Sequence, residues 1–267
     1  MKKNSFIALL LAVALPVVCY FIIKNVTAKA VHIPPHYFAD SVITTTENGK
    51  LKEDTLWHQL TDFELSNQLG EKISWDKMKG KVVVADFFFT HCPSICPQLT
   101  LNMRRLQGSI TNSKKYGDTH PDFIQFLSFS IDPERDSVLA LQQWADKFKV
   151  DPRAWWLLTG SKKTIYDLAI NDMKIGVQDG SGIDSDFIHT DYFVLIDSNR
   201  NVRGFYHGLD SVSLGRLSKD IIFLTLEKNK QNEKAFSKEL KLILICSTLF
   251  TLISIIGFFI YSKKNAD

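Results

Sequence analysis

The segment Lys81-Val82-Val83-Val84-Ala85-Asp86-Phe87-Phe88-Phe89 constrains the fold more than any other stretch of this 267-residue chain. A run so apolar, with no alternation, belongs to a strand covered on both faces, and such strands occur in parallel sheets sandwiched between helices. The surrounding pattern agrees. Residues 123–131 and 155–158 read as two more buried strands. Between them lie apolar positions at helical spacing: Leu99, Met103, Leu106 and Ile110 over 97–110, then Val138, Leu141, Trp144 and Phe148 over 136–148. A third helix is predicted over 162–170. Strands at Tyr192–Ile196 and Val202–Tyr206 flank a turn-rich five residues, and a last helix runs over 210–228. Upstream, Phe63-Glu64-Leu65 and Lys72-Ile73-Ser74-Trp75 predict an opening hairpin around Asn67-Gln68-Leu69-Gly70. The order hairpin, βαβαβα, hairpin, helix predicts an α/β domain over 61–230, with a mixed central sheet flanked by helices. Residues 25–60, with Pro34-Pro35 and Asn48-Gly49, show little periodicity and read as a linker.

The chemistry concentrates where the first buried strand ends. Phe89-Thr90-His91 is followed by Cys92-Pro93-Ser94-Ile95-Cys96-Pro97, and Pro97 suits a first helical turn. Ligands in open α/β sheets sit beyond the carboxyl ends of strands, and a helix N-terminus favours thiolate over thiol. Three intervening residues put the sulfurs about one helical turn apart. That spacing serves a disulfide in one state and two metal bonds in another, and two thiolates are soft ligands suited to Cu(I). A close pair shuts almost no loop, so it stabilises little as a staple. Haem c attachment needs a His after the second Cys. A structural zinc site needs a second ligand pair, which is missing.

Both ends of the chain carry apolar runs. Phe6–Ile23 follows Lys2-Lys3, and Leu242–Tyr261 precedes Lys263-Lys264. A spanning helix needs about 20 mostly apolar residues. Residues 1–24 therefore read as an N-terminal transmembrane anchor or a signal, with Ala28-Lys29-Ala30 resembling a cleavage site, and residues 240–262 as a C-terminal transmembrane helix. The outer lysines place both termini in the cytoplasm and the middle of the chain outside. Cys19 and Cys246 fall within the two spans, where cysteine behaves as a small hydrophobe.

Charge excludes one class of partner. Of the formal net +3, Lys2 and Lys3 contribute two and the last five residues one, so residues 4–262 are neutral. No basic field exists for nucleic acid.

Seven histidines offer a third ligand. His32, His36 and His58 lie in or beside the linker, His120 in a polar loop, and His207 at the end of the last hairpin. His91 adjoins Cys92, but sequence neighbours often point apart, and it reads as exposed. His189 stands just before a central strand; the pattern leaves it open between ligand and solvated loop residue. In Ser130-Ile131-Asp132-Pro133-Glu134-Arg135-Asp136 the acids read as a strand-end loop with Asp136 capping the next helix and Arg135 pairing locally.

From about Phe63 to Gly208 the sequence resembles the Sco/SenC copper chaperones of cytochrome oxidase assembly. The resemblance rests on Gly80 to Thr90, Cys92-Pro93-Ser94-Ile95-Cys96-Pro97, Ser130 to Asp136, Leu158-Thr159-Gly160, and His189-Thr190 before Tyr192-Phe193-Val194-Leu195-Ile196-Asp197. It implies a thioredoxin-like fold and a copper site, Cu(I) or Cu(II), made by Cys92, Cys96 and His189. It implies as partners the cytochrome c oxidase copper-site subunit and a copper donor or thiol reductant. The expected location is the bacterial inner membrane, with the soluble domain on the periplasmic side. Delivery of copper to the dinuclear site of the oxidase is the expected function; the alternative is a thiol–disulfide oxidoreductase acting on that site through a Cys92–Cys96 redox pair. The second span at 242–261 departs from the single N-terminal anchor common in the family.

Overall fold

The computed structural model of the chain describes residues 33–47, 50–111, 122–175, 190–225 and 227. Its strands are β1 (Ala39–Glu47), β2 (Lys50–Trp57), β3 (Leu65–Asn67), β4 (Lys72–Ile73), β5 (Val82–Phe88), β6 (Ile124–Ser130), β7 (Trp155–Thr159), β8 (Tyr192–Ile196) and β9 (Val202–His207). Its helices are α1 (Cys96–Thr111), α2 (Val138–Phe148), α3 (Lys162–Tyr166) and α4 over residues 211–225.

Seven strands form one sheet in the order β4-β3-β7-β6-β5-β8-β9. The inner strands β5, β6 and β7 run parallel. β3 joins β7 antiparallel at one side, and the β8–β9 hairpin joins β5 antiparallel at the other. This is the mixed, thioredoxin-like sheet that the element order implied. Every residue of β5 and β6 is buried, which explains why β5 is apolar but for Asp86; β6 also buries the polar Gln125, Ser128 and Ser130. The core between them includes Phe87 stacked on Phe129, with ring centroids 5.4 Å apart. Each such fully buried phenylalanine contributes about 1.5–3 kcal/mol through the water it no longer contacts.

Two expectations need correction. The stretch read as a linker is structured from residue 33 onward. Tyr37 N–H donates to Val202 O at 3.0 Å, and the buried Arg203 guanidinium reaches Pro34 O at 3.0 Å and Asp197 at 2.8 Å, which ties this segment to β9. Beyond it, β1 and β2 pair as a separate antiparallel ribbon. Val42, Ile43, Leu51 and Leu56 on the ribbon are all exposed. With neither face buried, nothing demands a stripe of period two, so the strands left no trace in the pattern. The second correction is at 162–170, where α3 ends at Tyr166 and a wider π-type stretch follows over Asp167–Asp172. There Asp172 turns inward and accepts hydrogen bonds from Thr61 N–H and Oγ1.

Among the described residues no helix is long and apolar enough to cross a membrane. The spans expected at 1–24 and 240–262 lie outside the described residues.

Candidate metal centre

β5 ends at Phe88 and α1 begins at Cys96, so both cysteines sit on the loop leaving the carboxyl edge of the central strand. Cys92 N–H donates back to Phe89 O at 3.3 Å, which closes a tight turn right after the strand. Cys96 opens the helix, and its N–H donates to Cys92 Sγ at 3.4 Å. The helix N-terminus thus presents a backbone donor to the first sulfur, where negative charge is favoured. Ser94 Oγ lies 3.6 Å from the same sulfur. Pro97 stands in the first turn, where its missing N–H costs nothing.

Both thiols are unbridged and buried. The Cys96 thiol is pushed far above its ordinary range, first by its hydrogen bond with Cys92 and then by burial, with a smaller push from the charge of Asp86. The raised value favours the protonated form, and binding a metal cation compensates for the loss of that proton. Two soft donors held side by side, with the Cys96 N–H on the Cys92 sulfur, fit a soft cation.

Asp86 lies on β5 in register with Ser128 of β6. Burial pushes its carboxyl up to about 7, opposed by a hydrogen bond from Ser128. Its Oδ1 has no hydrogen-bond partner among the described residues. Ser128 Oγ in turn accepts from the indole N–H of the fully buried Trp155 at 2.9 Å.

The loop after β6 flanks the cysteine loop, since Ile131 N–H donates to Phe88 O at 2.9 Å. Asp136 does not cap α2 as expected. The cap is Ser137, whose Oγ accepts from Ala140 N–H at 3.3 Å, and the helix starts at Val138. Asp136 instead turns inward, fully buried, and accepts from Thr90 N–H (3.1 Å), Thr90 Oγ1 (2.5 Å) and Ser130 Oγ (2.6 Å). Sequence reasoning missed this clamp on the cysteine loop, because its two ends lie 46 residues apart. Arg135 pairs locally with Asp132, as expected. Asp132, Glu134 and Asp136 do not converge; among the described residues no group of three such side chains is arranged to hold a metal.

His189 lies outside the described residues. The strand it precedes, β8, runs antiparallel to β5, so β8 begins at the edge where β5 delivers the cysteines. β9 returns His207 to this edge opposite Tyr192, and His207 Nδ1 lies 3.0 Å from Asp191 Oδ2. His91 is exposed, as expected, with Nδ1 3.0 Å from Thr90 Oγ1.

The SCO1/SenC family model matches residues 53–221, which spans the sheet, the cysteine loop and most of α4. The chain belongs to the SCO1/SenC family. The SCO1 protein homolog of Bacillus subtilis (strain 168) is 32% identical over 174 residues, covering 65% of this chain and 86% of the relative. The solved structure of BsSco, described by its disulfide switch and as a member of the Sco family of cytochrome c oxidase assembly proteins, aligns with TM-score 0.55 and 30% identity, over 65% of this chain and 97% of that one. The ScoI of Arabidopsis thaliana, solved with copper bound, shares the fold at TM-score 0.50 and 23% identity, over 60% of this chain and 96% of that one. The matched residues include Cys92 and Cys96, at the carboxyl edge of the central strand.

Proposed function

We propose that this chain is a membrane-anchored copper chaperone for cytochrome c oxidase assembly. It holds copper through Cys92, Cys96 and His189 and delivers it to the dinuclear copper site of the oxidase. The observation that carries the reading is the pair of unbridged, buried sulfurs, one on the loop and one at the first residue of α1, at the edge of the central sheet. Such a pair offers soft ligands in a site screened from water, which suits Cu(I) in particular. Family membership and the copper-bound ScoI of the same fold support copper as the cargo. His189 supplies the third donor, since β8 starts at the edge that carries the sulfurs. The domain over 61–230 works outside the bacterial cytoplasmic membrane, on the periplasmic side, between anchors at 1–24 and 240–262. Its partners are the oxidase copper-site subunit and a copper donor.

The chain's own contribution is to keep the sulfurs adjacent and dry, and to favour the protonated form of Cys96, until copper arrives. The proton on Cys96 is then lost to solvent as the metal binds.

A second reading has its own support. BsSco is described by a disulfide switch, and the two thiols here sit within reach of one another. The chain would then act as a thiol–disulfide oxidoreductase on the cysteines of the oxidase site: one thiolate attacks the target disulfide, and the other displaces the reduced target, leaving a Cys92–Cys96 bridge. Metal analysis of the chain purified reduced and oxidised tests the first reading. Copper bound at one equivalent to the reduced chain alone supports the chaperone. Failure of the reduced chain to bind copper leaves the oxidoreductase.

A further inference from the structure

The cysteine loop contains one exposed donor beside two hidden ones. Cys92 is 6% exposed and Cys96 0%, whereas the His91 side chain is 61% exposed. The imidazole is thus open to an ion arriving from solution or from a donor protein, and the sulfurs are not.

The hydrogen bonds fix which ring nitrogen is free. The Thr90 hydroxyl has a single proton. It lies 2.5 Å from Asp136 Oδ1, and an ionised carboxylate only accepts, so the proton goes there. Thr90 Oγ1 also lies 3.0 Å from His91 Nδ1. Having given its proton to Asp136, the hydroxyl oxygen accepts at this contact, and Nδ1 carries the hydrogen. In neutral imidazole the other nitrogen, Nε2, then holds the lone pair. The Asp136 carboxylate is held for this task by Ser130 Oγ at 2.6 Å and Thr90 N–H at 3.1 Å, and sits 3.8 Å from Nδ1 itself. A carboxylate that orients a histidine through its second nitrogen is a common way to prepare a metal ligand.

We propose that His91 is the loading ligand of the copper site: the Asp136–Thr90 relay holds it in the Nδ1–H tautomer, and Nε2 takes copper first and passes it to Cys92. Asp136 and Thr90 are positioning residues in this scheme. The proposal rests on the copper reading above and deepens it. Transfer from Nε2 to sulfur is a ligand exchange with no change of oxidation state; the thiol proton leaves to solvent as the copper–sulfur bond forms and the copper–nitrogen bond breaks.

The test uses the full chain, reduced and kept free of oxygen, mixed rapidly with Cu(I) while copper–thiolate absorption is followed. His91→Gln is expected to slow capture several-fold, with the final affinity and absorption spectrum unchanged. Thr90→Val is expected to slow it to a similar degree, and the double variant no further, because both act through one nitrogen. Histidine nitrogen NMR on the labelled chain should show neutral His91 with its proton on Nδ1, and Thr90→Val should move that proton to Nε2. Asp136→Asn probes the same relay, and Thr90→Val stands in for it where the buried amide impairs folding. Unaltered capture by His91→Gln, or a proton on Nε2 in the unaltered chain, overturns the proposal while leaving the copper site intact. Absence of copper binding by the unaltered reduced chain overturns both.

Discussion

Asp136 accepts hydrogen bonds from both the backbone N–H and the hydroxyl of Thr90, a residue 46 positions earlier and two before Cys92. The loop after β6 therefore holds the loop after β5, and the cysteine turn is braced by its neighbour strand. The buried carboxylate has its three donors in place, so removing the hydroxyl leaves Oδ1 without its short hydrogen bond. Thr90→Val should destabilise the chain by about 1–3 kcal/mol. Denaturant unfolding of the two chains checks the figure, and an unchanged midpoint would remove Asp136 as the brace.

Asp86 gives a pH-dependent prediction. Its carboxyl stands at about 7 in the fold against an ordinary 3.8, so the folded chain binds the proton more tightly than the unfolded one. The stabilising effect is complete below the ordinary value and is lost as pH rises towards 7 and past it. Asp86→Asn, which stays neutral, should be more stable than the unaltered chain at pH 8, by up to about 4 kcal/mol, with the difference shrinking towards pH 5. Thermal melts across this range would show it. Equal melting at both pH values would mean the carboxyl is not held protonated.

Gly208 ties the end of the last hairpin to α1. A Cβ there would stand 2.6 Å from the Leu99 side chain and 2.9 Å from the Phe193 ring, and Gly208 O accepts from Asn102 Nδ2 at 2.8 Å. Gly208→Ala forces the Leu99 side chain and the Phe193 ring to shift and should cost about 1–3 kcal/mol. Denaturant unfolding would measure it, and a midpoint equal to that of the unaltered chain would contradict this packing.

The thiols should switch together. Alkylation after denaturing quench should count two fewer reactive thiols in the oxidised chain than in the reduced one, with no intermolecular dimer. Linked dimers in place of an internal Cys92–Cys96 bridge would show that the two sulfurs do not share a site.

Much of this was legible in the sequence, for stated physical reasons. β5 is buried on both faces and is apolar but for Asp86, and buried phenylalanine, leucine and isoleucine dominate β6. The cysteine spacing is local and survives any tertiary detail. What stayed hidden was non-local or unpatterned. The β1–β2 ribbon buries neither face and so wrote no alternation into the chain. Asp136 sits where a helix cap is common, and only the register of β6 beside β5 shows that it serves Thr90 instead. His189 was raised by resemblance and lies outside the described residues.

The most direct measurement is a copper titration of the reduced full chain and of Cys92→Ser, Cys96→Ser and His189→Ala, at several pH values. The unaltered chain should bind one equivalent, more tightly as pH rises, because the Cys96 thiol must lose its proton to coordinate. Each substitution should weaken binding strongly, since a three-ligand site has no spare donor. Binding by His189→Ala as tight as that of the unaltered chain would contradict the third ligand, and no binding by the unaltered reduced chain would contradict the copper site altogether.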